Sequence, residues 1–154
     1  MYLIARIPAI GLLAVIAACA NDPQAASPQY AWVTDVGQTM QLIIDPAADI
    51  VWDSAGSIIT AAGEQDLAPT TPEDWAKVKA AAAVIAESGN LLMMPGRSAG
   101  PDWNEHAKGM ITTGKLAMDA AQQQDASALF EAGGSIYQVC LACHEQYMAN
   151  DSAQ

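Results

Sequence analysis

The sequence predicts an all-α domain, an antiparallel four-helix bundle, and three observations carry that expectation. Four long stretches between residues 34 and 148 read as helices, three of them opened by a capping residue or a proline. The connections between the last three are short, while the first connection is long. The chain is 52% hydrophobic, but Ala dominates that fraction and Phe occurs once. Small side chains suit close helix contacts, whereas strands draw on Val, Ile, Tyr and Phe. The 154 residues amount to one domain.

The elements follow in order. "MYLIARIPAIGLLAVIAACA" carries one positive charge, Arg6, and an apolar run from Ile7 to Ala18. That run is shorter than the roughly 20 residues that span a bilayer and ends in small residues, so residues 1–18 read as an export signal. "IAAC" resembles a bacterial lipobox, which makes Cys19 the expected lipidated N-terminus of the mature chain; ordinary cleavage beside Cys19 is the alternative. Residues 19–33, rich in Pro, Ala and Ser, read as a tether, 34–150 as the folded domain and 151–154 as a tail.

The first helix is expected from Thr34 to Ser57, with Val36, Met40, Ile43, Ile44, Ala47 and Ile50 at helical spacing. Asp45-Pro46 predicts a kink there, or two helices meeting. "SIITAAGEQDLAP" is a connector, partly extended and turning at Gly63. The second helix opens at Thr71 as N-cap with Pro72 in the first helical position and Glu73 and Asp74 at the positive end of the dipole, and runs to Leu92 or Met93. After the "MPGRSAGP" break, the third runs from Pro101 to about Gln124, and Asp125 caps the last, which reaches about Met148. Gly133-Gly134 inside that helix costs about 1 kcal/mol per glycine relative to Ala. Close approach of a backbone or a flat ligand is a reason to keep them.

The last helix contains "CLACH", Cys140 to His144. Structural zinc needs four ligands, and with Cys19 in the signal the chain offers two Cys and two His at unsuitable spacing. A thioredoxin-like pair belongs in a βαβ unit, which is missing from the pattern. A disulfide between Cys140 and Cys143 inside a helix is strained. On a helix of about 100° per residue, positions i, i+3 and i+4 share one face. Cys140 and Cys143 can therefore each form a thioether with haem while His144 supplies an axial iron ligand, which is the C-x-x-C-H rule for haem c. Export fits, because c-type haem is attached outside the bacterial cytoplasm.

A haem-attachment stretch near the C-terminus, on the last helix of a four-helix bundle, resembles the class II c-type cytochromes, the cytochrome c′ family. The resemblance covers residues 34–150. It implies a periplasmic electron carrier rather than an enzyme, six-coordinate and low-spin, with a distal methionine early on the first helix. Met40 stands there. A five-coordinate relative that binds NO or CO is the alternative, and a haem-free interaction lipoprotein a third reading. The long connector and Asp45-Pro46 depart from the family's better-known members and leave the register of the first helix open.

Other residues compete for these roles. Met93, Met94, Met110, Met118 and Met148 are rivals to Met40, and a thioether more often fills core space than binds metal. His106, expected in a polar first turn of the third helix, reads as solvated. Arg97 can pair with a haem propionate or sit exposed in its loop. Trp32, Trp52, Trp75 and Trp103 are expected in the core or the cofactor wall. Acidic residues number 17 against 6 basic. That balance excludes nucleic acid and anionic membranes as partners, leaving redox proteins with a basic docking face and, through Cys19, a lipid anchor. A homodimer is compatible with the sequence.

Overall fold

The computed structural model describes residues 30–148. The export signal, Cys19 and the C-terminal tail expected from the sequence lie outside the described residues. The described residues are mostly helical, in four helical stretches, with one small two-stranded sheet.

The first stretch is continuous but not uniform. It comprises α1 (Val36–Thr39), a π-helical segment Met40–Ile44, and α2 (Asp45–Trp52). Asp35 caps it, accepting the Gln38 backbone N–H at 2.7 Å while the Gln38 side chain accepts the Asp35 N–H at 3.2 Å. Pro46 has no N–H to donate, and its ring crowds the carbonyl four residues back. The helix accommodates this by widening: the Asp45 N–H reaches Met40 O, five residues away. The disturbance expected at Asp45-Pro46 takes the form of a π turn between α1 and α2.

The helix ends at Trp52, before the expected Ser57, because Gly56 turns the chain at φ +82 and Ser57 enters a strand. The fold is all-α-like, and the connector, expected to be partly extended, forms a small hairpin. β1 (Ser57–Thr60) pairs antiparallel with β2 (Gly63–Asp66) in the register Ser57↔Asp66 to Thr60↔Gly63, and every residue of the hairpin is exposed. The connector was expected to turn at Gly63, whose φ of +122 suits glycine alone.

The remaining helices begin where the caps predict. α3 (Pro72–Leu92) has Thr71 accepting the Asp74 N–H at 3.2 Å, and α5 (Ala126–Tyr147) has Asp125 accepting the Ala128 N–H at 2.9 Å. Between them lies α4 (Pro101–Gln123). α3 packs along α4, α4 along α5, and α2 touches both α3 and α5. Val51, Val78, Ile85, Leu129 and Ile136 fill the centre, with Ala82 and Ala117 fully buried between them. Small residues set the α3–α4 spacing. A Cβ on Gly89 would lie within 2.4 Å of Ala107 O, and one on Gly114 within 2.8 Å of Ala86 N.

Of the four tryptophans, Trp75 and Trp103 are buried and Trp52 half-buried, but Trp32 is 53% exposed, which corrects its placement in the core. Trp32 lies against Gly96, leaving no room there for a Cβ. The compact unit begins at Trp32. Among the described residues no helix is long and apolar enough to cross a membrane.

Candidate functional site

The residues singled out at opposite ends of the sequence meet in one place. A cavity of about 180 Å³ opens between the first helical stretch and α5, backed by α4 and the end of α3. Cys140, Cys143 and His144 line it from α5, and Met40 lines it from the first stretch. A second cavity of about 460 Å³ shares Met40, Asp45, Trp103, Cys143 and His144 with the first. Jointly they fall in the range of about 300–1,000 Å³ usual for cofactor sites.

Local structure sets this arrangement. On α5 the residues at 129, 132, 136 and 140 turn inward, so Cys140 and Cys143 flank the last core layer and His144 follows one step around. In the first stretch the π turn matters. Met40 and Asp45 are five residues apart, which an ordinary α-helix would separate by about 140°. The wider turn brings both to the cavity.

The walls are apolar and aromatic. Ile44, Ala48, Ala107 and Met110 form the floor, with Trp52, Trp103 and Tyr137 around them. The tryptophans are held by hydrogen bonds: Trp52 Nε1 donates to Gly133 O at 3.0 Å and Trp103 Nε1 to Leu92 O at 2.9 Å. A Cβ added at Gly133 would meet the Trp52 indole at ordinary van der Waals distance and one at Gly134 would meet open space, so contacts within the chain require neither glycine. Both cysteines are free thiols. Burial pushes the Cys140 thiol above its ordinary pKa, helped by Cys143 and by the Asp45 carboxylate, and burial alone raises Cys143.

Among the described residues no three His, Cys, Asp or Glu side chains converge to hold a metal ion. That donor set does not suit a bare ion. Two protonated thiols, one imidazole and one thioether around an apolar slot suit a flat group that brings its own equatorial ligands, so the residues present fit a haem.

Several expectations change. His106 lies in the second turn of α4, half-buried on the cavity wall rather than solvated, with Nε2 2.9 Å from Gln146 Oε1 and its ring edge-on to Tyr147. Arg97 lines neither cavity and is 8% exposed. Its Nη2 donates to Thr34 O at 2.8 Å and its guanidinium lies 5.4 Å from the Trp32 ring centre. It fastens the lead-in segment to the α3–α4 loop, and its position gives a propionate contact no support. Of the rival methionines, Met110 lines the smaller cavity and Met148 the larger, and only Met40 lines both. Sequence reasoning missed Tyr137 and Asp45. Tyr137 stands three residues before Cys140, so helical spacing could have found it; Asp45 needed the π turn.

Comparison with protein-family models, with curated proteins and with solved structures returns no match for this chain.

Proposed function

We propose that this chain is an exported c-type cytochrome, a periplasmic electron carrier of class II type. In this reading the helices form an antiparallel four-helix bundle with haem attached to the last of them. Cys140 and Cys143 would hold the group by thioethers, and His144 and Met40 would supply the protein's ligands to the iron. Cys19 is the lipidated N-terminus that ties the domain to a membrane. One observation carries the proposal: Cys140, Cys143, His144 and Met40 line a single apolar cavity although a hundred residues separate Met40 from the rest.

Bound there, haem supplies a one-electron ferric/ferrous couple. The chain's own residues set the terms of that couple. The imidazole of His144 and the thioether of Met40, held by separate helices, would offer the same ligands in both oxidation states, and a soft thioether favours the reduced form. Trp52, Trp103 and Ile44 exclude water, so little solvent reorganises with each electron. Asp45, exposed at the rim, opposes the reduced form by adding a negative charge near the site.

The five-coordinate reading rests on the same apolar wall, since a pocket lined by Ile44, Ala48 and Met110 also suits a neutral diatomic gas. Absorption spectra in both oxidation states separate the two. With Met40 bound, the protein is low-spin in both states and binds CO poorly. Met40→Leu, a swap of similar volume costing under about 1.5 kcal/mol, turns it high-spin and open to CO. A high-spin wild type favours the gas-binding reading. A low-spin spectrum unchanged by Met40→Leu moves the sixth ligand to Met110 or His106.

A further inference from the structure

The cavity's mouth has a surface around it that the cofactor does not use. The exposed lining residues are Asp45, Tyr137 and Leu141, all from the first helical stretch and α5. Along α5, Phe130, Gly134, Tyr137 and Leu141 fall at spacings of four, three and four, one stripe of the helix. Phe130 is 57% exposed, Tyr137 52% and Leu141 37%, so large apolar surface faces solvent in a row that ends at the cysteines. Trp52 and Tyr137 line both the cofactor cavity and a groove of about 310 Å³ beside it, which reaches Phe130 and Gly134. The stripe is therefore continuous with the mouth.

Charge is distributed unevenly about this stripe. Of the 6 Lys and Arg in the chain, Arg6 lies outside the described residues and all the others fall between Lys77 and Lys115, on α3, α4 and their loop. Neither the first helical stretch, the hairpin nor α5 carries one. Carboxylates border the stripe instead. Asp45 and Asp49 stand one helical turn apart beside Trp52, and Glu64 and Asp66 of β2 share a groove with Phe130. An apolar centre rimmed by one sign of charge is the layout of a docking patch, in which the centre supplies contact area and the rim steers the encounter.

We infer that the Phe130–Tyr137–Leu141 stripe, with Asp45, Asp49, Glu64 and Asp66 around it, docks a protein that carries a basic ring about an apolar centre. The inference rests on the electron-carrier reading for its purpose: a partner seated there lies against a mouth of the cofactor cavity. An anionic membrane or nucleic acid is repelled by the same carboxylates.

The test uses the haem-loaded protein and a basic class I cytochrome c as probe. Calorimetric titration reads binding, and stopped-flow mixing reads electron transfer from the reduced probe, each at about 0.01 M and about 0.15 M salt, where screening lengths are about 30 and 8 Å. The rim variant Asp49→Asn/Glu64→Gln/Asp66→Asn is compared with Glu73→Gln/Glu87→Gln/Asp119→Asn, which removes the same charge from exposed positions away from the mouth. The rim variant should lower the low-salt rate about tenfold and flatten its salt dependence, while the distant variant leaves both nearly unchanged. Phe130→Ser should weaken binding about fivefold or more at the higher salt, where contact area dominates. Equal losses in the two charge variants, or no loss in either, overturn the docking surface. Reduction by dithionite separates the two readings. If dithionite yields no ferrous haem spectrum, the electron-carrier reading fails, and the titrations alone decide whether the patch binds.

Discussion

Cys140 sits where its helix turns a thiol into an apolar slot, and the surroundings act on it in one direction. Burial, the neighbouring Cys143 and the Asp45 carboxylate all disfavour the thiolate. A thiol whose pKa rises on folding stabilises the folded chain fully below its unfolded pKa, near 9.0, and that contribution is lost as pH climbs through the raised folded value. The haem-free chain should therefore weaken on the alkaline side of pH 9. Alkylation of Cys140 and Cys143, followed by mass spectrometry against pH, should run above the profile of a small thiol. A midpoint below 9 contradicts the placement of these side chains. The haem-loaded protein, whose thioethers do not titrate, should lack this alkaline loss. The case for Met40 is one of position: among the methionines of the described residues it alone borders both cavities.

At the scale of the elements, what was legible depended on local rules. Thr71, Asp125 and Pro101 mark helix starts through short-range hydrogen bonds or fixed backbone geometry, and the helices begin there. C-x-x-C-H places three side chains together by helical period alone. The hairpin was harder to read, because its residues are all exposed and lack the inside/outside alternation that reveals a strand. The π turn was harder still: Asp45-Pro46 announces a disturbance but does not specify the wider turn at Met40–Ile44 that takes it up. Trp32 was misplaced because its exposure is set by a loop glycine far along the chain. The glycines on α3 and α4 give a direct check on packing. Gly89→Ala raises helix propensity by about 1 kcal/mol, yet its Cβ would meet Ala107 O and Ile111. The overlap should prevail, with a net loss of about 1–3 kcal/mol in urea unfolding. A stabilised variant means that the α3–α4 contact is looser than described.

Over the whole molecule, composition and fold point the same way. An Ala-rich interior lets helices approach closely, and an apolar cavity opens between the first helical stretch and α5. The same two elements carry carboxylates without a lysine or arginine, so the opening of the cavity and the acidic side of the domain coincide. The proposal joins the expected export signal, the free pair of cysteines and the histidine beside them through one covalently bound haem. The most direct measurement takes the protein matured in its own host, denatures it and extracts it with acidified acetone. The account predicts that the haem stays with the polypeptide, on a peptide containing Cys140 and Cys143 whose mass is raised by one haem. Haem that partitions into the organic phase, or a CLACH peptide of unmodified mass, contradicts it.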